Sequence, residues 1–261
     1  MNIVTEIERW REIRKNIKGT VGFVSTMGCL HEGHASLCRR ARKENDFVVA
    51  SIFVNPTQFN QPSDFEQYQR TLGADCKLLE SLGVDAVFCP SKEAMYPDGY
   101  EVQVSETHLS REMEGEFRPG HFTGMLTVVL KLLNLAQPTR AYFGEKDFQQ
   151  LILVKKMVAE LFLPVEIVPC PTIREESGLA LSSRNARLTA EQRRTAAFLS
   201  QLLRSDFGDE AVKLELERRG FRPEYVATQW GRRLAAVWLD KVRLIDNVPL
   251  AERKEKNAAV S

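Results

Sequence analysis

The stretch from Val21 to His34 (VGFVSTMGCLHEGH) constrains the fold more than any other part of this chain. It begins as a short apolar run of the kind found in buried strands and reaches a glycine turn at Gly28. It closes with HEGH, and a helical spacing of apolar residues follows at once, among arginines and a lysine. A strand, a glycine-bearing turn and a helix start, in that order, predict one β–α unit of an α/β protein.

The same alternation continues along the chain. Residues 4–18 have the spacing of an amphipathic leading helix. Further strands are predicted at 47–53, 84–88, 141–143 and 165–168, and further helices from Ser63 to Leu82, from Thr123 to Leu135 and from Gly144 to Leu161. Residues 90–120 contain turn formers without a clear period. Alternating strands and crossover helices predict a Rossmann-like, doubly wound parallel sheet.

The pattern changes after about residue 186. The sequence Thr189-Ala190-Glu191-Gln192 resembles a capping box and begins a helix that is predicted to end near Arg204. A charged helix from Asp209 to Arg219 and short strands at 225–228, 234–239 and 242–245 follow. We therefore predict a catalytic domain at 1–185 and a smaller α+β C-terminal domain at 186–261.

Composition excludes several classes of protein. The net charge of +1 over 261 residues gives no global attraction to nucleic acid or to an anionic membrane. No apolar run is long enough to span a bilayer, and the first 18 residues carry no apolar signal core. The five cysteines are odd in number and contain no CxxC pair, which is typical of reduced thiols and argues against zinc. These features predict a cytoplasmic protein with no nucleic-acid or membrane partner.

His31 and His34 are the first candidates for chemistry. Backbone N–H groups and the positive end of a helix dipole gather at such a turn, and they predict an anion site. Imidazole donates to phosphate oxygens and titrates near neutral pH. The structural alternative is a pair of loop histidines satisfied by carbonyl groups. Two of the four histidines fall together between two glycines, so we favour a nucleotide-phosphate site over that alternative and over a metal site, which lacks a third ligand.

Other polar clusters follow predicted strands or precede helices. Gly144-Glu145-Lys146-Asp147 follows a strand, and Leu181-Ser182-Ser183-Arg184-Asn185 places two hydroxyls beside an arginine. Each also fits a purely structural interpretation, as a solvated helix start or a capped turn. Gln58 and Gln150 could hold a small polar acid, although a surface position is the commoner fate of a glutamine. Arg118 and His121 flank a rigid Pro-Gly turn and suit either a carboxylate or a structural contact.

Five motifs, in this order and spacing, resemble the pantothenate synthetase (pantoate–β-alanine ligase) family. They are STMGCLHEGH, SIFVNPTQF, RPGHFTG, YFGEKDFQQ and LALSSRNARLT, and RLIDN at 243–247 is similar to the end of the family's C-terminal domain. The family belongs to the HIGH-motif nucleotidyltransferases with a Rossmann-like domain. The resemblance implies condensation of pantoate with β-alanine, using ATP and Mg²⁺ and a pantoyl-adenylate intermediate, in a homodimer.

The resemblance also implies roles for individual residues. The catalytic residues would be His34, His31 and Lys146. The ATP site would comprise Met27, Gly28, Cys29, Leu30, His31, Glu32, Gly33, His34, Gly144, Glu145, Lys146, Asp147, Ile173, Leu181, Ser182, Ser183 and Arg184. Pantoate would be bound by Gln58 and Gln150, and β-alanine by Gln58, Arg118, Asn55 and Tyr68. Asp75 matches a position linked to the metal.

Three features depart from the family pattern. Ser25 and Gln69 stand where the family usually has proline. The region between Arg219 and Leu234 is predicted to be some tens of residues shorter than is usual in the family. It belongs to the domain that covers the ATP site in the family. We expect these changes to affect backbone shape and closure rather than the polar groups.

Three other functions fit parts of the sequence. A nucleotidyltransferase that stops after nucleotide transfer would share the HxGH loop, although the paired glutamines favour the ligase. A relative of class I aminoacyl-tRNA synthetases would need an anticodon-binding extension and a basic surplus, and the chain has neither. A regulatory nucleotide-binding module without turnover would fit a shortened C-terminal domain.

Overall fold

The computed structural model describes residues 1–60, 65–66 and 68–250, and it divides into two compact units. Unit 1 contains Met1–Glu145 and Gln149–Cys170. Of the described residues, unit 2 contains Lys146–Phe148 and residues 171–250. Unit 2 thus includes a three-residue segment that lies far from the rest of it in sequence.

Unit 1 is built on a six-stranded parallel sheet. Its strands are β1 (Asn2–Val4), β2 (Val21–Thr26), β3 (Phe47–Ile52), β4 (Ala86–Phe88), β5 (Arg140–Gly144) and β6 (Glu166–Cys170), in the spatial order β1-β4-β3-β2-β5-β6. Every neighbouring pair is parallel. The predicted Rossmann-like, doubly wound sheet is therefore confirmed, and the apolar runs are buried as central strands should be.

Helices cover the sheet. They are α1 (Ile7–Asn16), α2 (Glu32–Glu44), α3 (Leu72–Ser81), α4 (Lys92–Met95), α5 (Glu114–Phe117), α6 (His121–Ala136) and α7 (Phe148–Glu160). The core between α2, α3 and the sheet contains Val24, Cys38, Val48, Leu79, Val87 and Tyr142. On α1, Trp10 is fully buried and donates from its indole to the Leu135 carbonyl at 2.8 Å, which anchors the leading helix.

The order in which the chain adds strands to the sheet reverses between β2 and β5, although all the strands stay parallel. From β2 the chain proceeds through β3 to β4 on one side, and β5 and β6 lie on the other. In open parallel sheets, ligands bind beyond the carboxyl ends of the strands at such a reversal. The loop that follows Thr26 and the end of β5 at Gly144 both lie at this point of unit 1.

Two predictions of secondary structure need correction. The three-residue strand β1 was not foreseen, because so short a segment carries no readable period. A single helix from Ser63 to Leu82 is wrong: α3 begins at Leu72, after a non-helical stretch at 68–71. Ser63 itself lies outside the described residues. Short helices occupy parts of the 90–120 segment, which has no sequence signal for them.

Unit 2 packs two helices on an antiparallel sheet. Its elements are α8 (Ala190–Leu203), α9 (Asp209–Arg218), β7 (Phe221–Gln229), β8 (Arg232–Leu239) and β9 (Val242–Pro249), with sheet order β7-β8-β9. The capping box predicted at Thr189 and Gln192 is present. Trp230 and Gly231 both have positive φ, 51° and 71°, as the two-residue turn between β7 and β8 requires.

Residues 171–185 pack with unit 2. Leu179 lies in the same apolar core as Leu199, Leu216 and Val237, and Arg174 forms an ion pair with Asp246. Unit 2 therefore begins before residue 186 in this structure. Non-local packing sets this boundary, whereas the prediction relied on the change in sequence pattern after residue 186. The functional domains predicted at 1–185 and 186–261 stay a prediction.

Candidate active site

The loop after β2 turns through two consecutive left-handed residues. Gly28 has φ +80° and Cys29 has φ +52°. A Cβ built on Gly28 would lie 3.1 Å from Oδ2 of Asp75 and 3.3 Å from Ile52, so this position combines a glycine conformation with a close approach. Cys29 adopts a conformation that L-residues avoid, and the contacts of its backbone must hold it there.

The backbone N–H groups of this loop are already engaged. Gly28 donates to Oγ1 of Thr26 at 3.2 Å, and Cys29 and Leu30 donate to the two carboxylate oxygens of Asp75 at 3.0 and 2.9 Å. The predicted cradle of backbone donors is therefore wrong for these groups. Sequence spacing could not reveal this, because the acceptor lies on α3, 45 residues beyond Leu30.

His31 and His34 form a reciprocal cap at the start of α2. The N–H of Gly33 donates to Nδ1 of His31 at 3.1 Å, and the N–H of His31 donates to Nδ1 of His34 at 3.3 Å. Because each Nδ1 accepts, the proton of each neutral ring resides on Nε2. The rings lie side by side, with centroids 4.2 Å apart. The cap thus fixes two imidazoles with the same tautomer at the start of α2, which is suited to donation from Nε2 to phosphate oxygens.

Asp75 holds the loop from outside it. Its side chain lies near the start of α3 and is 3% exposed, and it also accepts from the hydroxyl of Thr71 at 3.0 Å. With the two loop N–H groups, three donors converge on one carboxylate. These contacts favour a role in shaping the loop, and the predicted metal role of Asp75 stays a prediction. Sequence reasoning missed Thr71, whose Thr-x-x-x-Asp spacing on the helix start is the available signal.

The thiols near the loop are not activated. Burial, and then the charge of Asp75, raise the pKa of Cys29. Burial raises the pKa of Cys38 to about 12. A raised pKa keeps the thiol protonated at neutral pH, so neither residue is suited to nucleophilic chemistry.

Gln58 is fixed at the end of a short 3₁₀ turn, Pro56–Gln58, that follows β3. Its amide donates to the sulfur of Met27 at 3.0 Å, and its oxygen accepts from Nδ2 of Asn55, also at 3.0 Å. Asn55 is 1% exposed and also contacts the hydroxyl of Tyr96 and the carbonyl of Gly124. Asn55 therefore supports Gln58 from within the core, and its predicted β-alanine contact stays a prediction.

Arg118 and His121 hold the backbone of the same turn. The Gln58 carbonyl accepts from Nδ1 of His121 at 2.8 Å and from the Arg118 guanidinium at 3.4 Å. With its proton on Nδ1, His121 accepts from Arg118 through Nε2 at 3.2 Å. Arg118 also pairs with Glu114 at 3.4 Å. Unit 1 thus brings together three of the four residues predicted for β-alanine, Asn55, Gln58 and Arg118. Their ligand roles stay predictions.

Three further residues of unit 1 lie in well-defined surroundings. Tyr68 is 8% exposed and packs edge-to-face on Phe59 at 5.6 Å. In the FQQ sequence the two glutamines differ. Gln149 is buried, donates to two carbonyls and accepts from the N–H of Glu114, so it is structural. Gln150 is half-buried and is the better candidate for a ligand contact.

Most of the remaining predicted residues belong to unit 2, whereas Gly144 and Glu145 belong to unit 1. Lys146 lies in a 3₁₀ turn, with Nζ 3.7 Å from the carboxylate of Asp147. Residues 173–181 form a tight hairpin, in which the Leu181 N–H donates to the Ile173 carbonyl at 3.0 Å. Ser182 follows and caps the 3₁₀ turn Ser183–Arg187 by accepting from the N–H of Arg184. Ile173 and Leu181–Arg184, predicted as ATP contacts, are thus one local structure.

Over the described residues, no group of three or more His, Cys, Asp or Glu side chains could hold a metal ion. In the same part of the chain, no helix is both long and apolar enough to cross a membrane.

A parallel sheet whose first central strand leads into a histidine-bearing helix start is typical of α/β nucleotide-binding enzymes. Comparison with known proteins is more specific. The family model for pantoate–β-alanine ligase matches residues 2–249. The chain belongs to the pantoate–β-alanine ligase family.

Individual relatives can be aligned with nearly the whole of this chain. A pantothenate synthetase of Legionella pneumophila is 49% identical over 95% of this chain and 99% of its own, and that of Bdellovibrio bacteriovorus is 51% identical over 94% and 97%. A pantoate–β-alanine ligase of Francisella tularensis, crystallised in complex with beta-gamma ATP and β-alanine, has a TM-score of 0.91 at 42% identity, over 96% of this chain and 98% of that one. The pantothenate synthetase of Thermus thermophilus has a TM-score of 0.88 at 43% identity, covering 96% and 99%.

These lengths correct one prediction. The region between Arg219 and Leu234 is not short relative to these relatives, because the alignments span 97–99% of their chains. In the structure the region is a complete hairpin of β7 and β8 around Trp230 and Gly231. The main support for a regulatory module without turnover is thereby removed.

Proposed function

We propose that this chain condenses pantoate with β-alanine at the expense of ATP, and that it releases pyrophosphate and AMP. Membership of the family and the relative crystallised with beta-gamma ATP and β-alanine support this activity. Within the chain, the observation that carries the proposal is the reciprocal cap of His31 and His34, because it fixes two Nε2 donors where a nucleotide binds in this class of sheet.

The first step is adenylation of pantoate. A pantoate carboxylate oxygen bonds to the α-phosphorus of ATP while the bond from that phosphorus to pyrophosphate breaks. Such a transfer needs alignment and charge stabilisation more than covalent help from the protein. We assign donation to phosphate oxygens to Nε2 of His31 and His34. Lys146 and Arg184 supply positive charge, with the backbone and hydroxyls of Gly144–Asp147, Ile173 and Leu181–Ser183 completing the nucleotide contacts.

The second step forms the amide. The neutral amine of β-alanine bonds to the acyl carbon of pantoyl adenylate, AMP leaves, and the amine loses its proton. Gln58 and Gln150 hold the pantoyl group, and Gln58, Arg118, Asn55 and Tyr68 border β-alanine. The contacts of Met27, Asn55 and His121 with Gln58 support this assignment, because a substrate-binding amide needs a fixed orientation.

Magnesium enters this proposal with ATP. The carboxylate of Asp75, the predicted metal residue, already accepts three hydrogen bonds that shape the loop, and its metal role stays a prediction. Mg²⁺ in ATP-dependent enzymes is bound largely by phosphate oxygens and water, and it needs few protein ligands. No step above depends on a protein ligand for the ion. We also propose a homodimer and a cytoplasmic location, where ATP is available and the five cysteines stay reduced.

The test is a coupled assay with pantoate, β-alanine and ATP that measures pyrophosphate, AMP and pantothenate. His34→Asn retains an acceptor for the His31 N–H but lacks the Nε2 donor, whereas His34→Ala removes both. We expect both variants to slow pantoate-dependent pyrophosphate release by about 10²–10³-fold, the usual cost of one preorganised donor. Wild-type rates in His34→Asn would remove the donor role.

A matched control is His108→Ala, because the side chain of His108 is 79% exposed and its ion-pair partner, Glu112, is 3.8 Å away. It should retain full activity. The same assay separates the ligase from a nucleotidyltransferase that stops after transfer. The ligase forms one AMP and one pantothenate for each pyrophosphate, whereas the transferase leaves the nucleotide attached to its product.

A further inference from the structure

Asp246 and Asn247 are neighbours on β9 and are both buried. They are 3% and 2% exposed, and they end the RLIDN sequence, to which the assigned steps give no role. Backbone pairing of β9 with β8 runs from Val242 to Pro249 whatever these side chains are. Buried acidic and amide side chains require partners, and here the partners include two residues outside the sheet, Arg174 and Lys146.

Asp246 fixes the 173–181 hairpin through Arg174. The Arg174 guanidinium donates to both carboxylate oxygens of Asp246, at 2.7 and 2.8 Å. It also donates to the carbonyls of Gly178 and Asn247, each at 3.0 Å. One guanidinium thus joins the tip of the hairpin to β9. Such a planar, bidentate pair fixes geometry as well as charge.

Asn247 fixes the 146–148 segment. Its Nδ2 donates to the carbonyl of Lys146 at 2.9 Å, and its Oδ1 accepts from Nε of Arg232. The guanidinium of Arg232 lies over the ring of Phe148, 4.6 Å from its centroid. The segment is therefore held at its backbone by Asn247 and at an aromatic side chain by Arg232, and these contacts explain why it belongs to unit 2.

We propose that Asp246 and Asn247 are positioning residues for the adenylation step. Successive residues of a strand point to opposite faces, so adjacent positions on β9 can reach two segments that are separate in sequence. One of these carries Lys146, and the other leads directly into Ser182–Arg184. A single strand thereby sets the position of both groups assigned to phosphate in unit 2. The inference rests on the proposed function.

The experiment uses Asn247→Ala and Asn247→Asp in the full chain. Both variants lose the N–H group that donates to the Lys146 carbonyl. Only Asn247→Asp adds a charge. A defect that both variants share is therefore caused by the loss of the donor and not by the charge. The near-isosteric Asn247→Asp also keeps an acceptor for Arg232, which protects folding. The two half-reactions are measured apart: pyrophosphate release from pantoate and ATP, and pantothenate formation from chemically prepared pantoyl adenylate and β-alanine.

We expect pyrophosphate release to fall about 10–100-fold, since small displacements of a positioned group cost rates of that order. Pantothenate formation from the prepared adenylate should stay within about threefold of wild type, because it requires no pyrophosphate departure. Asp246→Asn, which weakens the hold on Arg174, should give the same split.

The control is Glu224→Gln. Glu224 joins β7 to Arg243 of β9 at 2.6 Å and to the Trp238 indole, also at 2.6 Å, in the same sheet. It should lower the melting temperature and leave both half-reactions at wild-type rates. If the Asn247 variants slow both half-reactions equally, or neither, while the wild type is active, the positioning role is refuted. If the wild-type chain forms no pantothenate, the proposed function fails first, and this inference fails with it.

Discussion

Replacing Asp75 by asparagine should loosen the loop that carries the histidine pair. The carboxylate accepts from the N–H groups of Cys29 and Leu30 through different oxygens. An amide offers only one oxygen, so one loop N–H will face an NH₂ group. Cys29 already has the unfavourable φ of +52°, and loss of either carboxylate contact, its own or that of its neighbour Leu30, weakens the hold on this conformation.

The magnitude follows from the lost contact. A partly buried donor left without an acceptor costs about 1–3 kcal/mol of unfolding free energy. A loss of about 2 kcal/mol lowers the melting temperature of a chain of this size by roughly 4–8 °C. The rings of His31 and His34 follow the loop directly, so we expect loosening of the loop to weaken ATP binding as well as to lower the melting temperature.

The assays are calorimetry, hydrogen exchange of the amides at 28–34, and the dependence of pyrophosphate release on ATP. Asp75→Asn should raise exchange in that segment and raise the KM for ATP. The control is Asp85→Asn, because Asp85 accepts from the N–H of Val48 at 2.7 Å and from Arg42 at 2.6 Å. It should lower stability and leave the KM for ATP unchanged.

Two results would refute the reasoning. Unchanged exchange at 28–34 in Asp75→Asn would show that the carboxylate does not hold the loop. A large increase in the Mg²⁺ concentration needed for half-maximal activity, with unchanged exchange, would instead establish the metal role that the resemblance implies for Asp75.

Three further predictions concern the rest of unit 1. Gln150→Ala should raise the KM for pantoate much more than that for ATP, and equal increases in steady-state kinetics would rule out a pantoate contact. Gly124→Ala should cost about 1–3 kcal/mol of unfolding free energy, measured by urea denaturation. The reason is that its Cβ would lie 2.4 Å from the Thr57 carbonyl oxygen. The matched variant Gly73→Ala, which has open space around the added Cβ, should stabilise α3. The pKa values of all five thiols are raised, chiefly by burial. The thiolate fraction at about pH 7.5 is therefore low, and a thiol reagent should react more slowly with the native chain than with the unfolded one. Equal reaction rates would contradict the raised pKa values.

Local patterns in the sequence were enough to predict the class of fold. The apolar runs of β2 and β3, the glycine turn at Gly28 and the capping box at Thr189 act within a few residues of themselves, through strand burial, backbone conformation and capping. The order of these elements restricts the sheet to a parallel, doubly wound form. The motif spacing also led to the family that the comparisons confirm.

Errors arose where the period was weak. A three-residue strand such as β1 is too short to show alternation, and the start of α3 at Leu72 is marked by no strong cap. The interpretation of HEGH as a binding motif did not reveal that His31 and His34 also cap α2 by accepting from backbone N–H groups. Spacing alone could have suggested this, because the N-cap and N3 positions are three residues apart.

The sequence by itself determined which residues are available for the chemistry, and the tertiary structure decided what each is free to do. Asp75 is 45 residues from Leu30, Arg174 is 72 residues from Asp246, and Asn247 is 101 residues from Lys146. No periodicity or local propensity encodes pairs so distant. They form because the topology brings separate segments together, and because a buried polar group, once there, must bond to whatever donor or acceptor the fold places beside it.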